Sequence, residues 1–162
     1  MNFRIVFYLL LIFSFVVVQG KSQHQSLDKS SFYSAMASEN IEEIDAQLSI
    51  VKGSLTSEKE ACEGALLMKK AGMVTKARDK LSLFKSGRSK LELSIARNNE
   101  NIEFRFLRLI IQEHAPKIVN YRNDLVSDSQ LIRTNFKSLS HVVQQAIIDY
   151  SKKSRLLKPS YF

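Results

Sequence analysis

Over residues 40–150 of this chain the apolar side chains recur at intervals of three and four, and no stretch alternates apolar and polar residues for the length of a strand. That spacing gathers side chains on one face of an α-helix. Five glycines and two prolines in 162 residues leave too few turn formers for a small all-β protein. A hydrophobic share of 44% is too high for a disordered polymer. The expected fold class is all-α: a compact array of five to seven helices in one domain over 39–151. A chain of this size can bury a core without disulfides or a structural metal.

The stripes place the helices. Ile41, Ile44, Leu48 and Val51 form the first, closed by Gly53. Ser57 and Glu60 have the spacing of a capping box opening the second. Its acids Glu58, Glu60 and Glu63 come early, and Lys69 and Lys70 come late before Gly72, so the charges match the helix dipole. A third helix over 75–97 carries Leu81, Phe84, Leu91 and Ile95 on one face and ends at Asn98 and Asn99. The fourth, over 100–114, has Phe104, Leu107 and Ile111 on one side and Phe106 and Ile110 on another, the pattern of a helix held between neighbours. Pro116 stops it, and a turn over 118–121 follows. Leu131, Ile132, Asn135, Phe136 and Leu139 mark a fifth helix. Ser140 opens a sixth, with Val142, Val143, Ala146, Ile147 and Tyr150.

The two ends read differently. Residues 1–20 combine Arg4, an apolar run over 5–18 broken only by Ser14, and small residues Val18 and Gly20. This is the layout of a secretory signal cleaved after Gly20. The run is shorter than the roughly 20 residues a membrane-spanning helix needs. Export to the periplasm or beyond is therefore expected, the alternative being an inner-membrane anchor made of the uncleaved signal. Residues 21–38 read as a flexible polar leader in which Phe32, Tyr33 and Met36 make a docking turn. Residues 152–162 read as a frayed basic tail bearing Lys152, Lys153, Arg155 and Lys158.

Chemistry is sparse. One cysteine, Cys62, excludes a disulfide within the chain and any cysteine-built metal site. Flanked by Ala61, Gly64 and Ala65, it reads as a packing residue. His24, His114 and His141 belong to no recognisable ligand pattern, and no phosphate loop, serine elbow or zincin motif occurs. The expectation is a non-catalytic interaction protein without metal or cofactor. The rival is an envelope enzyme or small-ligand protein with His114 or Cys62 in a pocket.

Charge carries more information. Residues 39–63 have a net charge of −5 and residues 76–97 a net charge of +5, which suggests two segments facing one another across a groove rim. Arg105 and Arg108 stand at i and i+3 among aromatic residues, a setting in which guanidinium groups capture carboxylates. With His114, at a helix C-terminus, and Tyr121, they are the candidate partner-binding residues. The alternative is that they pair internally with Glu103, Glu113 or the acidic first helices. The expected partner is a protein or peptide. The basic tail adds a weak contact with an anionic envelope surface, and nucleic acid is not expected because no aromatic residues interleave the cations.

Around Asn99 the spacing of Gly87, Leu91, Ser94 and Asn99, with Ile95 beside them, resembles the second helix of a tetratricopeptide (TPR) repeat and its turn. Ala65, Met68 and Gly72 resemble the end of the first helix. Ala77 and Leu81 fit the same positions as Gly87 and Leu91, so the joining helix is about ten residues longer than the pattern. Asn99 stands where that family has proline, and no second copy recurs at a period of 34. The resemblance implies helical hairpins with a peptide-binding groove between them. The chain as a whole is also similar in build to small exported proteins of Bacteroidetes-type bacteria. N-terminal sequencing of the exported protein is expected to begin at Lys21; an intact Met1 in the membrane pellet would refute cleavage.

Overall fold

The structure, a computed structural model, describes residues 27–162, so the signal expected over 1–20 and most of the early leader lie outside the described residues. Seven α-helices and no strand occur among the described residues: α1 Lys29–Ala37, α2 Ile41–Gly53, α3 Lys59–Met73, α4 Ala77–Arg97, α5 Ile102–His114, α6 Leu125–Asn135 and α7 His141–Ser151. Single 3₁₀ turns follow α5, α6 and the last loop.

The hairpin of α3 and α4 is the tightest contact in the molecule, and its cause is two glycines. A Cβ built on Gly64 would lie 2.6 Å from the carbonyl oxygen of Gly87, and one on Gly87 would lie 2.5 Å from that of Gly64. The two backbones touch, which only residues without a side chain permit. Around the crossing, Ala61, Ala65, Met68, Leu91, Ser94 and Ile95 are buried. Of the two registers the sequence offered, Gly87 and Leu91 face α3 while Ala77 and Leu81 face solvent. Leu81, expected on the buried stripe of α4, is 51% exposed because the hairpin tip extends past the rest of the bundle.

Helix α5 runs through the centre. Phe104, Phe106, Leu107, Ile110 and Ile111 are all buried, as the two-sided pattern requires, and Leu109 joins them. The Phe106 ring meets Tyr33 and Tyr150, each with centroids 5.8 Å apart, so α1 and α7 close over the same residue.

Four expectations need correction. The leader is helical from Lys29: Asp28 accepts the backbone N–H groups of Ser30 and Ser31, and Phe32, Tyr33 and Met36 share one buried face. Those three residues are part of a core helix and not of a docking turn. The capping box at Ser57 does not form; Glu58 occupies the cap position, and the Glu60 carboxylate reaches Lys90 on α4 instead. The fifth expected helix begins earlier, at Leu125, and turns Asp128, Ser129 and Ile132 inward. The tail is fastened and not frayed. Leu157 is fully buried, the Phe162 ring lies 4.6 Å from that of Phe136, and backbone N–H groups of Arg155 and Leu156 donate to Glu113.

Gly64→Ala is expected to cost about 1–3 kcal/mol by forcing the two backbones apart. Gly72→Ala, where an added Cβ meets nothing within 4 Å, should instead gain up to about 1 kcal/mol from helix propensity. Urea unfolding of the two variants measures the contrast, and equal responses would contradict a close crossing.

Candidate functional site

Three of the four residues singled out for partner binding come together, but two of them are inside the protein. Arg108 is 4% exposed. Its Nε and Nη2 donate to the two oxygens of Asp128 at 2.7 and 2.8 Å, and its Nη1 donates to Glu92 at 3.0 Å. The Asp124 carboxylate lies 3.3 Å from Nη2. Every direction in which the guanidinium could grip a partner is filled. Tyr121 is buried beside it and donates its hydroxyl to the other oxygen of Glu92 at 2.5 Å. The Arg88 guanidinium stacks 4.6 Å above the Tyr121 ring, and Phe84 meets that ring edge-on at 5.7 Å. Asn120, in left-handed backbone with φ 45°, makes the turn that sends Tyr121 back towards α4.

Burial alone would weaken the hold of Arg108 on its proton. The bonds to Asp128, together with the charges of Glu92 and Asp124, reverse this and carry the group above the usual arginine value. On Asp128 burial dominates and lifts the carboxyl above the usual aspartate range, against the pull of Arg108. Both shifts are upward, the one favouring the charged arginine and the other opposing the charged aspartate, and the two-pronged contact at 2.7 and 2.8 Å decides for an ionised pair at neutral pH. Burial also raises the Tyr121 phenol, which stays protonated and donates.

Arg105 is partly exposed. Its Nε and Nη2 donate to the carbonyl of Asn99 at 3.3 and 3.0 Å, and its Nη1 lies 3.6 Å from Asp128. His114 stands apart from the other three. It is exposed at the C-terminus of α5, with Nδ1 2.9 Å from the Ile110 carbonyl and its ring 6.1 Å from that of Tyr150. The partners of Arg108 are neither Glu103 nor Glu113. Glu103 binds Lys29 and Tyr33, and Glu113 binds Tyr150, Ser154 and the tail. One signal could have pointed to the true partners: Asp124 and Asp128, at i and i+4, are the only acids between Glu113 and Asp149.

Neither His114 nor Cys62 lines either of the two clefts described here. Cys62 is buried, and burial pushes its thiol far above the usual range, away from thiolate reactivity. An open cleft of about 430 Å³ between α1 and α2 is lined by Ser30, Ser31, Ser34 and Gln47, with Glu43 as its one titratable group. A second, of about 320 Å³, is formed by Gln130, Arg133, Thr134 and Tyr161. There the Arg133 guanidinium already lies 4.0 Å over the Tyr161 ring. No group of three or more metal-ligating side chains occurs among the described residues.

The opposed charge blocks meet only in part. Lys90 pairs with Glu60 at 2.6 Å and Glu63 at 3.2 Å across the hairpin. Glu39 and Asp45 instead turn to Lys69 and Lys70, and Glu58 turns to Lys29. Of these acids, Glu39, Asp45 and Glu58 are thus held by lysines of α1 and α3, and Glu60 and Glu63 by Lys90 of α4. Lys76, Arg78, Lys80, Lys85 and Arg88 form no ion pair among the described residues. These cations are expected to form one half of a groove, and the structure instead sets Lys76, Arg78, Lys80 and Lys85 out towards the exposed hairpin tip, with Arg88 at the crossing, stacked on Tyr121. All residues over 75–82 are exposed.

Comparison with known proteins adds no relative: no family model, no curated protein and no solved structure matches the chain.

Arg108→Ala is expected to cost about 3–5 kcal/mol, because buried Asp128 loses both of its hydrogen bonds and keeps only Arg105 at 3.6 Å. Arg105→Ala should cost under about 1 kcal/mol, as a partly exposed pair. Thermal or urea unfolding of the two variants separates the roles. An Arg108→Ala protein as stable as the parent would mean the guanidinium is free for a partner.

Proposed function

We propose that this chain is an exported, non-catalytic helical docking protein that engages an acidic component of the cell envelope through the tip of the α3–α4 hairpin. The observation that carries this reading is the contrast between its interior and that tip. Buried charged groups are matched one to another, as Arg108 is with Asp128 and Glu103 is with Lys29. Towards the tip, the four cations Lys76, Arg78, Lys80 and Lys85 form no ion pair among the described residues and stand against the single acid Asp79. A surface of this kind holds a partner by clustered carboxylates or phosphates and raises the rate of encounter. A protein or peptide rich in acids, the partner expected from the sequence, is recognised by the same chemistry.

Export rests on the three-part pattern of residues 1–20. No helix among the described residues is long and apolar enough to cross a membrane. The TPR-like resemblance would imply a scaffold role; of its small-residue positions Gly87 lies at the close crossing, whereas Gly72 meets no neighbour.

Charge reversal tests the reading. The triple change R78E/K80E/K85E alters only exposed side chains and should leave the unfolding curve within about 0.5 kcal/mol of the parent. It should abolish retention of the protein on washed envelope fractions at low salt, whereas K52E/K137E, which reverses two exposed cations elsewhere, should not. Retention that survives the triple change would remove the tip as the docking site.

A further inference from the structure

The chemistry of the hairpin tip narrows the acidic component further. On α4, Arg78, Leu81 and Lys85 stand at i, i+3 and i+7, one continuous stripe of the helix. Leu81, the apolar member, is 51% exposed. The edge contact of Phe84 with Tyr121 holds the turn over 117–121 against this part of α4. That turn presents Lys117 and, 92% exposed, Ile118. Leu81 and Ile118 thus each lie three residues before the Phe84–Tyr121 contact in their own segments, both exposed, with Arg78, Lys80, Lys85 and Lys117 as the exposed cations beside them in the chain. Resting on the docking reading above, we propose that this region binds the surface of an anionic lipid bilayer, with the cations among the headgroups and Leu81 and Ile118 entering the interface.

The shape of the surface favours lipid over an acidic protein. A stable protein interface buries about 800 Å² on each side around an apolar core. Here the apolar residues are two separate side chains, one on the hairpin and one on the turn over 117–121, and neither of the two clefts described above includes them. A bilayer needs neither an apolar core nor a groove. Each cation within a Debye length of its charged face strengthens binding by about fivefold. Single apolar side chains add to this by entering the headgroup boundary. The nearest competing acid on α4 is Asp79, since Glu92 is held by Arg108 and Tyr121.

Vesicle flotation tests the proposal with the full chain. Vesicles of phosphatidylcholine alone report any binding through residues 1–20, and vesicles containing about a third phosphatidylglycerol report the anionic contribution. Binding to the anionic vesicles should exceed binding to the neutral ones at least tenfold at about 0.1 M salt, and collapse at about 1 M. R78E/K80E/K85E should lose that excess, and K52E/K137E should keep it. The chain contains no tryptophan, so Leu81→Trp supplies a single reporter whose emission should shift to the blue only with anionic vesicles. Equal binding to both vesicles, or an excess untouched by the triple change, overturns the proposal. If the protein ignores vesicles but binds polyglutamate through the same three residues, the lipid inference falls and the docking reading stands. If it binds neither, both fall.

Discussion

Three ionisable residues on one helix organise the molecule. Glu103, Arg108 and Glu113 follow one another at intervals of five along α5. At 3.6 residues per turn, that interval spreads them nearly evenly around the helix. Glu103 faces α1 and takes Lys29 and Tyr33. Arg108 faces α4 and α6 and takes Glu92, Asp124 and Asp128. Glu113 faces the end of α7 and the chain beyond it, accepting from Tyr150, Ser154, Arg155 and Leu156. The apolar surface of α5 would bury against many neighbours equally well. The three charges do not tolerate exchange, because a wrong neighbour leaves one of them buried without a partner. Hydrophobic burial drives the collapse, and these contacts select which segment goes where.

This division explains what could be read from the sequence. The stripes of α2, α3 and α4 and the two-sided pattern of α5 are local, set by residues three and four apart, and those helices lie within a few residues of their expected limits. Helix α1 has too short an apolar face to announce itself over nine residues; it forms because Phe32 and Tyr33 find the surface of α5 and Asp28 caps it. The tail is ordered by a carboxylate some forty residues upstream, which no local pattern reveals. The internal partners of Arg108 are hidden for the same reason. An arginine among aromatics looks alike whether it awaits a partner or already holds one, and the difference lies in Asp128, twenty residues on.

The site moved accordingly. Composition located the charge blocks correctly and could not say which members cancel. Packing turns Glu39 and Asp45 to Lys69 and Lys70, and Glu60 and Glu63 to Lys90, so the cations near the start of α4 are left without ion pairs among the described residues. The exposed tip is thus a consequence of hairpin geometry. The Gly64–Gly87 crossing fixes α4 against α3 near its middle, and the turns beyond that point extend past the bundle.

The fastening of the tail to Glu113 also bears on when the protein can finish folding. Until the residues around Ser154 have been made, the carboxylate at the end of α5 has no hydrogen-bond donors from the tail, and the place of Leu157 in the core is empty. A nascent chain containing all seven helices would still lack these contacts, so completion of the core waits for the segment that carries Ser154 and Leu157.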